Sequence, residues 1–249
     1  MHYFEKGSGF PLLLLHGYCE TGTVWNSIID ELASQVRLII PDLPGFGLSE
    51  PISDDFSLED VAQMSHELMQ SLGFTEYIVM GHSLGGYVAL AIEKLYSSHI
   101  RAFGLIHSTA FADSKEKKEG RDQVIKIVSN KGPGLFLQNF YQNLFYQPIK
   151  EVVEDLQREG KNIKGDSIIS YAQAMKNRPD STDLMRSDKP KLFIAGVKDG
   201  AVSISDSRSI RDLSKNCSYL ELENTGHMGM FEEPKLLIKQ ITDFLNPLV

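Results

Sequence analysis

Short apolar runs alternate along this chain with longer stretches whose apolar positions recur every three or four residues. The runs at 12–15, 36–40, 77–80 and 102–106 are short and continuous, which predicts buried strands. Trp25, Ile28, Ile29 and Leu32 fall on one helical face and predict a helix over 25–32. Val61, Met64, Leu68 and Leu72 do the same for 58–72, with Ser57 as N-cap, Asp60 in the first turn and Gly73 as the stop. Residues 84–95 read as a mostly apolar helix. Strands that alternate with helices predict an α/β, doubly wound, mostly parallel sheet covered on both faces.

The rhythm changes between residues 113 and 186, where no strand pattern occurs. A charged stretch from Ser114 opens a helix that runs to Val128, and Gly132-Pro133-Gly134 breaks it. An aromatic-rich helix is predicted over 135–146, another from Pro148 to Leu156, and a fourth over 168–175. Alternation returns with a strand at 191–195, a helix at 204–213, a strand at 218–222 and a helix at 235–245. The reading is therefore a core of residues 1–111 and 187–249 with an all-helical cap inserted at 112–186. Such an insertion would sit over the carboxyl edge of the sheet, where ligands bind in folds of this class.

Composition removes several classes. With 42% hydrophobic and 23% charged content, the 249 residues are ordinary for a folded globular chain. A net charge of −8 argues against a nucleic-acid partner, which needs a basic face. Cys19 and Cys217 are far apart and form no CxxC, so neither a disulfide scaffold nor a cysteine zinc site is expected. The apolar run at 10–15 is too short to span a bilayer. Residues 1–6 lack the basic start of a signal peptide, so a cytoplasmic location without membrane association is the expectation.

The strand at 77–80 runs into Gly81-His82-Ser83-Leu84-Gly85-Gly86 and then a helix. This is G-x-S-x-G in a strand–turn–helix context. Such a turn lifts the serine clear of the sheet, and side chains two positions away on either side would clash. The helix start supplies unpaired N–H groups and a positive dipole end for a developing oxyanion. A phosphate cradle would need G-x-G-x-x-G or a P-loop lysine, and neither is present. Ser83 is thus the candidate nucleophile.

A serine hydroxyl needs a base. His227 follows the last strand in Thr225-Gly226-His227-Met228-Gly229, at the same sheet edge as Ser83. The other histidines fit less well. His82 adjoins the serine and should point away from it, His16 ends a strand, His66 and His99 lie on amphipathic or surface segments, and His2 is near the terminus. His107 ends the fourth strand and reads either as packed there or as a pocket wall. Asp199, after the strand at 191–195, is the favoured acid, because Ser83…Asp199…His227 has the chain order that goes with this turn. Asp113 is its rival, and Asp206 reads as a helix cap. Oxyanion donors are expected from the backbone N–H of Leu84 and, in His16-Gly17-Tyr18, of Tyr18.

Taken together these residues resemble the α/β-hydrolase family over most of 12–245. The elbow at 81–86, the oxyanion loop at 16–18, Asp42-Leu43-Pro44-Gly45-Phe46-Gly47-Leu48-Ser49, Gly196-Val197-Lys198-Asp199, and Gly226-His227-Met228 with Glu232 and Pro234 all resemble its motifs. Arg178-Pro179-Asp180 is similar to the hinge after the cap in the small esterase and enol-lactonase branch. Two departures stand out. The family's first strand is missing and its second is short (2–4), and Gly200-Ala201-Val202-Ser203 replaces the usual proline near a valine.

The resemblance implies a serine carboxylic ester hydrolase that needs no cofactor and no metal. Phe136, Phe140, Tyr141, Phe145 and Tyr146 read first as cap packing and second as an apolar acyl pocket, with His107, Phe136, Phe140 and Phe145 as its candidate lining. No Lys or Arg cluster accompanies the motifs, so the expected partner is a small uncharged ester of short-to-medium acyl chain. Lactone, thioester or carbon–carbon bond hydrolysis on the same triad remains open, as do a ligand receptor that retains the triad and an inactive relative. Epoxide hydrolases and dehalogenases of the family carry Asp at the elbow, where this chain has Ser83.

Overall fold

Seven strands form one sheet in the computed structural model of the chain, which describes residues 1–52 and 55–249. They are β1 (Tyr3–Lys6), β2 (Pro11–Leu15), β3 (Arg37–Pro41), β4 (Tyr77–His82), β5 (Ile100–Ile106), β6 (Lys191–Gly196) and β7 (Cys217–Leu222), in the spatial order β1-β3-β2-β4-β5-β6-β7. Only β1 runs antiparallel, along β3 at the sheet edge. The central strands β2 and β4 are buried at every position, as their unbroken apolar runs require of strands covered on both faces. In the register His82 lies opposite Ile106, and Ile106 opposite Ile194. The residues that follow β4, β5 and β6 therefore emerge side by side at one edge.

Helices α1 (Ile29–Leu32), α2 (Leu58–Ser71) and α3 (Leu84–Tyr96) connect the first strands. Between β5 and β6 the described chain is helical only: α4 (Lys115–Lys131), α5 (Pro133–Phe140), α6 (Lys150–Gly160), α7 (Gly165–Asn177) and α8 (Thr182–Met185). Then come α9 (Ile204–Leu213), α10 (Gly229–Glu232) and α11 (Pro234–Leu245). Ser57 closes the start of α2 with a reciprocal pair of bonds. Its Oγ accepts from Asp60 N at 3.2 Å, and its N–H donates to Asp60 Oδ2 at 2.8 Å. No helix among the described residues is long and apolar enough to cross a membrane.

Two local expectations need correction. The helix expected over 25–32 is a 3-10 turn (Gly22–Trp25) followed by α1, because Ile28 has φ −129° and interrupts it. Its apolar spacing reported burial, since Trp25, Ile28, Ile29 and Leu32 are all in the core. The helix expected over 135–146 stops at Phe140, and Phe145 is extended. Here tertiary contact wins over propensity, because the Leu144 carbonyl accepts the His227 N–H at 2.6 Å. His66, on the amphipathic α2, belongs to its inner face. It is buried, hydrogen-bonded to Tyr77 Oη at 2.8 Å and stacked on Tyr96 at 3.9 Å.

A charged clasp joins the two ends of the helical segment. Arg178 Nη1 donates to Asp113 Oδ1 at 2.7 Å, and Nη2 donates to the Phe111 carbonyl at 3.0 Å. Arg121 Nε meets Asp113 Oδ2 at 3.2 Å, and the Arg178 guanidinium lies 3.8 Å over the Tyr87 ring. Asp113, the rival acid, is thus committed to two arginines and is not paired with His227.

Candidate active site

Ser83 stands between β4 and α3 with φ +49° and ψ −113°. A non-glycine residue in this region stores strain of about 1–3 kcal/mol. The neighbours hold it there. Ser83 N donates to the Ile106 carbonyl at 2.9 Å, while its own carbonyl accepts from Gly86 N at 3.0 Å and Ser108 Oγ at 2.7 Å. The flanking glycines are sterically required. A Cβ on Gly81 would lie 2.0 Å from the Gly85 carbonyl carbon, and one on Gly85 would lie 2.6 Å from the Leu15 oxygen.

Asp199 and His227 meet from different loops, with His227 Nδ1 donating to Asp199 Oδ2 at 2.7 Å. The other carboxylate oxygen accepts from Ala201 N at 2.8 Å and Val202 N at 2.9 Å. Burial favours protonation of Asp199. The His227 ring and the hydrogen bonds around the carboxyl outweigh it and hold Asp199 well below the usual carboxylate range. Glu232 shapes the His227 loop by accepting from Gly226 N at 3.0 Å and Met228 N at 3.2 Å.

The turn at 16–18, the candidate oxyanion loop, is set by bonds between the His16 ring and backbone groups. His16 Nε2 accepts from Leu43 N at 2.8 Å, so its proton sits on Nδ1, which donates to the Gly17 carbonyl at 2.8 Å. The peptide is planar and trans, so the Tyr18 N–H projects opposite that carbonyl. Leu84 opens α3, and its N–H is one of the helix's orphan donors.

Glu20 is a site residue that the sequence reading missed. Its Oε2 accepts from Gly17 N at 2.7 Å and from His82 Nδ1 at 2.9 Å, and His82 Nε2 donates to the His227 carbonyl at 2.8 Å. Both partners of the His82 ring are acceptors, so both ring nitrogens carry protons and the ring is an imidazolium. Burial opposes this charge, yet the Glu20 carboxylate, its hydrogen bond and the His227 carbonyl raise His82 above its ordinary value. Glu20 is lowered, because His82 and His16 outweigh burial. The available signal was a glutamate three residues past Gly17, since a buried glutamate demands a partner.

The pair's stabilisation is present above the ordinary glutamate value of 4.5 and is lost as pH falls through the lowered one. It is present below the ordinary histidine value of 6.5 and is lost as pH rises through the raised one. Glu20→Gln should therefore cost most in Tm between about 4.5 and 6.5, with a smaller loss on either side, as thermal melts across pH would read. A Tm difference that did not vary with pH would contradict the charged pair.

The aromatic residues divide. Phe136 and Phe140 pack on the Tyr18 ring, with centroids 6.2 and 5.7 Å away, whereas Phe145 faces Phe231 at 6.3 Å beside the His227 loop. His107 is not a pocket wall. Its side chain is fully buried, and its Nε2 accepts from Gly229 N at 3.2 Å. The helical segment is bonded to residues 18–23, which begin at the candidate oxyanion donor Tyr18. Tyr18 Oη donates to the Ile168 carbonyl at 2.7 Å, Tyr141 Oη to the Cys19 carbonyl at 2.6 Å, and Thr21 and Thr23 hydroxyls to Glu159 at 2.9 and 2.7 Å.

His107, Asp199 and His227 gather ligand-type atoms within 4.8 Å of one another. Within it Asp199 Oδ1 takes two amides, Oδ2 takes His227, and His107 Nε2 takes Gly229 N, while His107 Nδ1 has no hydrogen-bond partner.

The family model described as the alpha/beta hydrolase fold matches residues 11–234. The soluble epoxide hydrolase of a Corynebacterium species is 28% identical over 275 residues, covering 100% of this chain and 94% of its own. A thermophilic esterase from Thermogutta terrifontis superimposes with a TM-score of 0.92 at 28% identity, covering 99% of this chain and 93% of its own. The enol-lactonase from Burkholderia xenovorans does so with a TM-score of 0.90 at 20% identity, covering 98% and 96%, which shows the shared fold. The chain therefore belongs to the alpha/beta hydrolase fold family and is a hydrolase.

Proposed function

We propose that this hydrolase cleaves small, uncharged carboxylic esters through an acyl-enzyme on Ser83, with His227 as base and Asp199 as the acid that orients it. The observation that carries the reading is the strained Ser83 at φ +49° on the sheet edge that also carries the 2.7 Å Asp199–His227 pair. His227 takes the Ser83 proton as Oγ attacks the ester carbonyl. The Leu84 and Tyr18 N–H groups receive the oxyanion, the alcohol departs with the proton, and water activated by His227 releases the acid.

A serine nucleophile at position 83 also argues against epoxide or haloalkane substrates. Serine attack on such a carbon would leave an alkyl ether, which the second water cannot hydrolyse, so the enzyme would not turn over. Attack on an acyl carbon leaves an ester, which it can. An uncharged acyl group fits the aromatic faces of Tyr18, Phe136 and Phe140. Arg121, the cation felt at Tyr18, is already paired with Asp113.

A fluorophosphonate probe with mass-spectrometric mapping, run beside a p-nitrophenyl ester series, tests the reading. The expected result is a single adduct on Ser83 and best kcat/KM at short-to-medium acyl chains. An unlabelled Ser83, or a preference for anionic esters, would overturn it.

A further inference from the structure

We propose that His107 is a positioning residue for this reaction: a second imidazole N–H, buried against Asp199 opposite His227, that fixes the acid's charge and orientation. The inference rests on the Ser83–His227–Asp199 reading above.

The geometry is specific. His107 follows β5 with φ +48°, a conformation that costs a histidine strain and turns its ring toward the loop after β6. His107 N donates to the Ile194 carbonyl at 2.8 Å, which anchors the turn. The ring's Nε2 accepts from Gly229 N at 3.2 Å, and an amide can only donate. The proton of the neutral ring is therefore on Nδ1. That atom is fully buried, has no hydrogen-bond partner, and lies 3.6 Å from Asp199 Oδ2, the oxygen that binds His227.

Residue 229 is shaped for this ring, because a Cβ there would come within 2.4 Å of His107 Nε2. Burial pushes His107 down to about 4, so the ring stays neutral wherever the triad works. A neutral ring presents a dipole to Asp199 and adds no further cation to a cluster that already holds the His82 imidazolium. The groups facing Asp199 are thus His227 from the loop after β7, His107 from the turn after β5, and His82 from the end of β4.

The dipole has a readable consequence. The positive end of the Nδ1–H bond draws on the same oxygen that stabilises a protonated His227. Without it Asp199 holds the proton on His227 more strongly, and the base needs a higher pH to become free.

Two substitutions separate the ring's two roles. His107→Asn places an amide N–H near the Nδ1 position and suits a positive φ. His107→Gln places its amide near Nε2 and keeps only the contact with Gly229. The pH profile of kcat/KM on p-nitrophenyl butyrate should keep its acid limb in the Asn variant. In the Gln variant the limb should move up by about half a pH unit or more. Histidine ¹⁵N NMR on the wild-type protein should show a neutral ring protonated at Nδ1, a readout that needs no variant to fold. Equal profiles in wild type, Asn and Gln, or a ring protonated at Nε2, overturn the assignment of His107 alone. Failure of the fluorophosphonate to label wild-type Ser83 overturns the triad reading and this assignment with it.

Discussion

Ser83→Ala is expected to lower kcat on an activated ester by about four to six orders of magnitude while leaving Tm unchanged or slightly raised. On the proposed mechanism the loss is large because His227, Asp199 and the oxyanion donors would act as a unit with the hydroxyl, and none of them can supply an acyl acceptor. What would survive is the polarisation of a bound carbonyl by the Leu84 and Tyr18 amides. Stability should hold because the Ser83 backbone bonds to Ile106, Gly86 and Ser108 do not involve its side-chain oxygen. The measurement is steady-state hydrolysis with active-site titration and a thermal melt on the same preparation. A variant that retained wild-type turnover would remove Ser83 from the mechanism.

Asp113→Ala is expected to be the most destabilising single change at the clasp, costing about 3–5 kcal/mol. The Asp113 side chain is fully buried between Arg178 and Arg121, and Arg178 is itself almost completely enclosed. Removing the carboxylate leaves the Arg178 guanidinium with two backbone carbonyls and the Tyr87 face, and no counter-charge. Arg121→Ala should cost far less, because its side chain reaches solvent and Arg178 still satisfies Asp113. Denaturant melts on both variants test the order, and equal losses would contradict it.

The parts of the site that follow local rules were legible in the sequence. A glycine-flanked serine between strand and helix announces a strained turn, because two backbones must pass within contact there. Asp199 and His227 could be assigned to one sheet edge because both directly follow parallel strands. The cap at Ser57 followed from short-range hydrogen bonding, whereas α9 is capped by Ser203, with Asp206, expected as the cap, in its first turn.

Glu20 was not legible as a site residue, and His107 was read as a pocket wall or as strand-end packing, not as a neighbour of Asp199. Their roles depend on which ring nitrogen faces which partner, and that is decided by loops distant in sequence: His82 is 62 residues from Glu20, and Gly229 is 122 from His107. The helix expected over 135–146 was misread for a related reason. Its apolar spacing was real, but Leu144 abandons the helix to receive the His227 amide.

The bonds from Ile168, Tyr141 and Glu159 tie the helical segment to residues 18–23. If the Tyr18 amide receives the oxyanion as proposed, a ligand that displaced those helices would drag that amide off its mark. On that reading misfit would register as slow chemistry more than as weak association, and discrimination among acyl groups would sit in the turnover number.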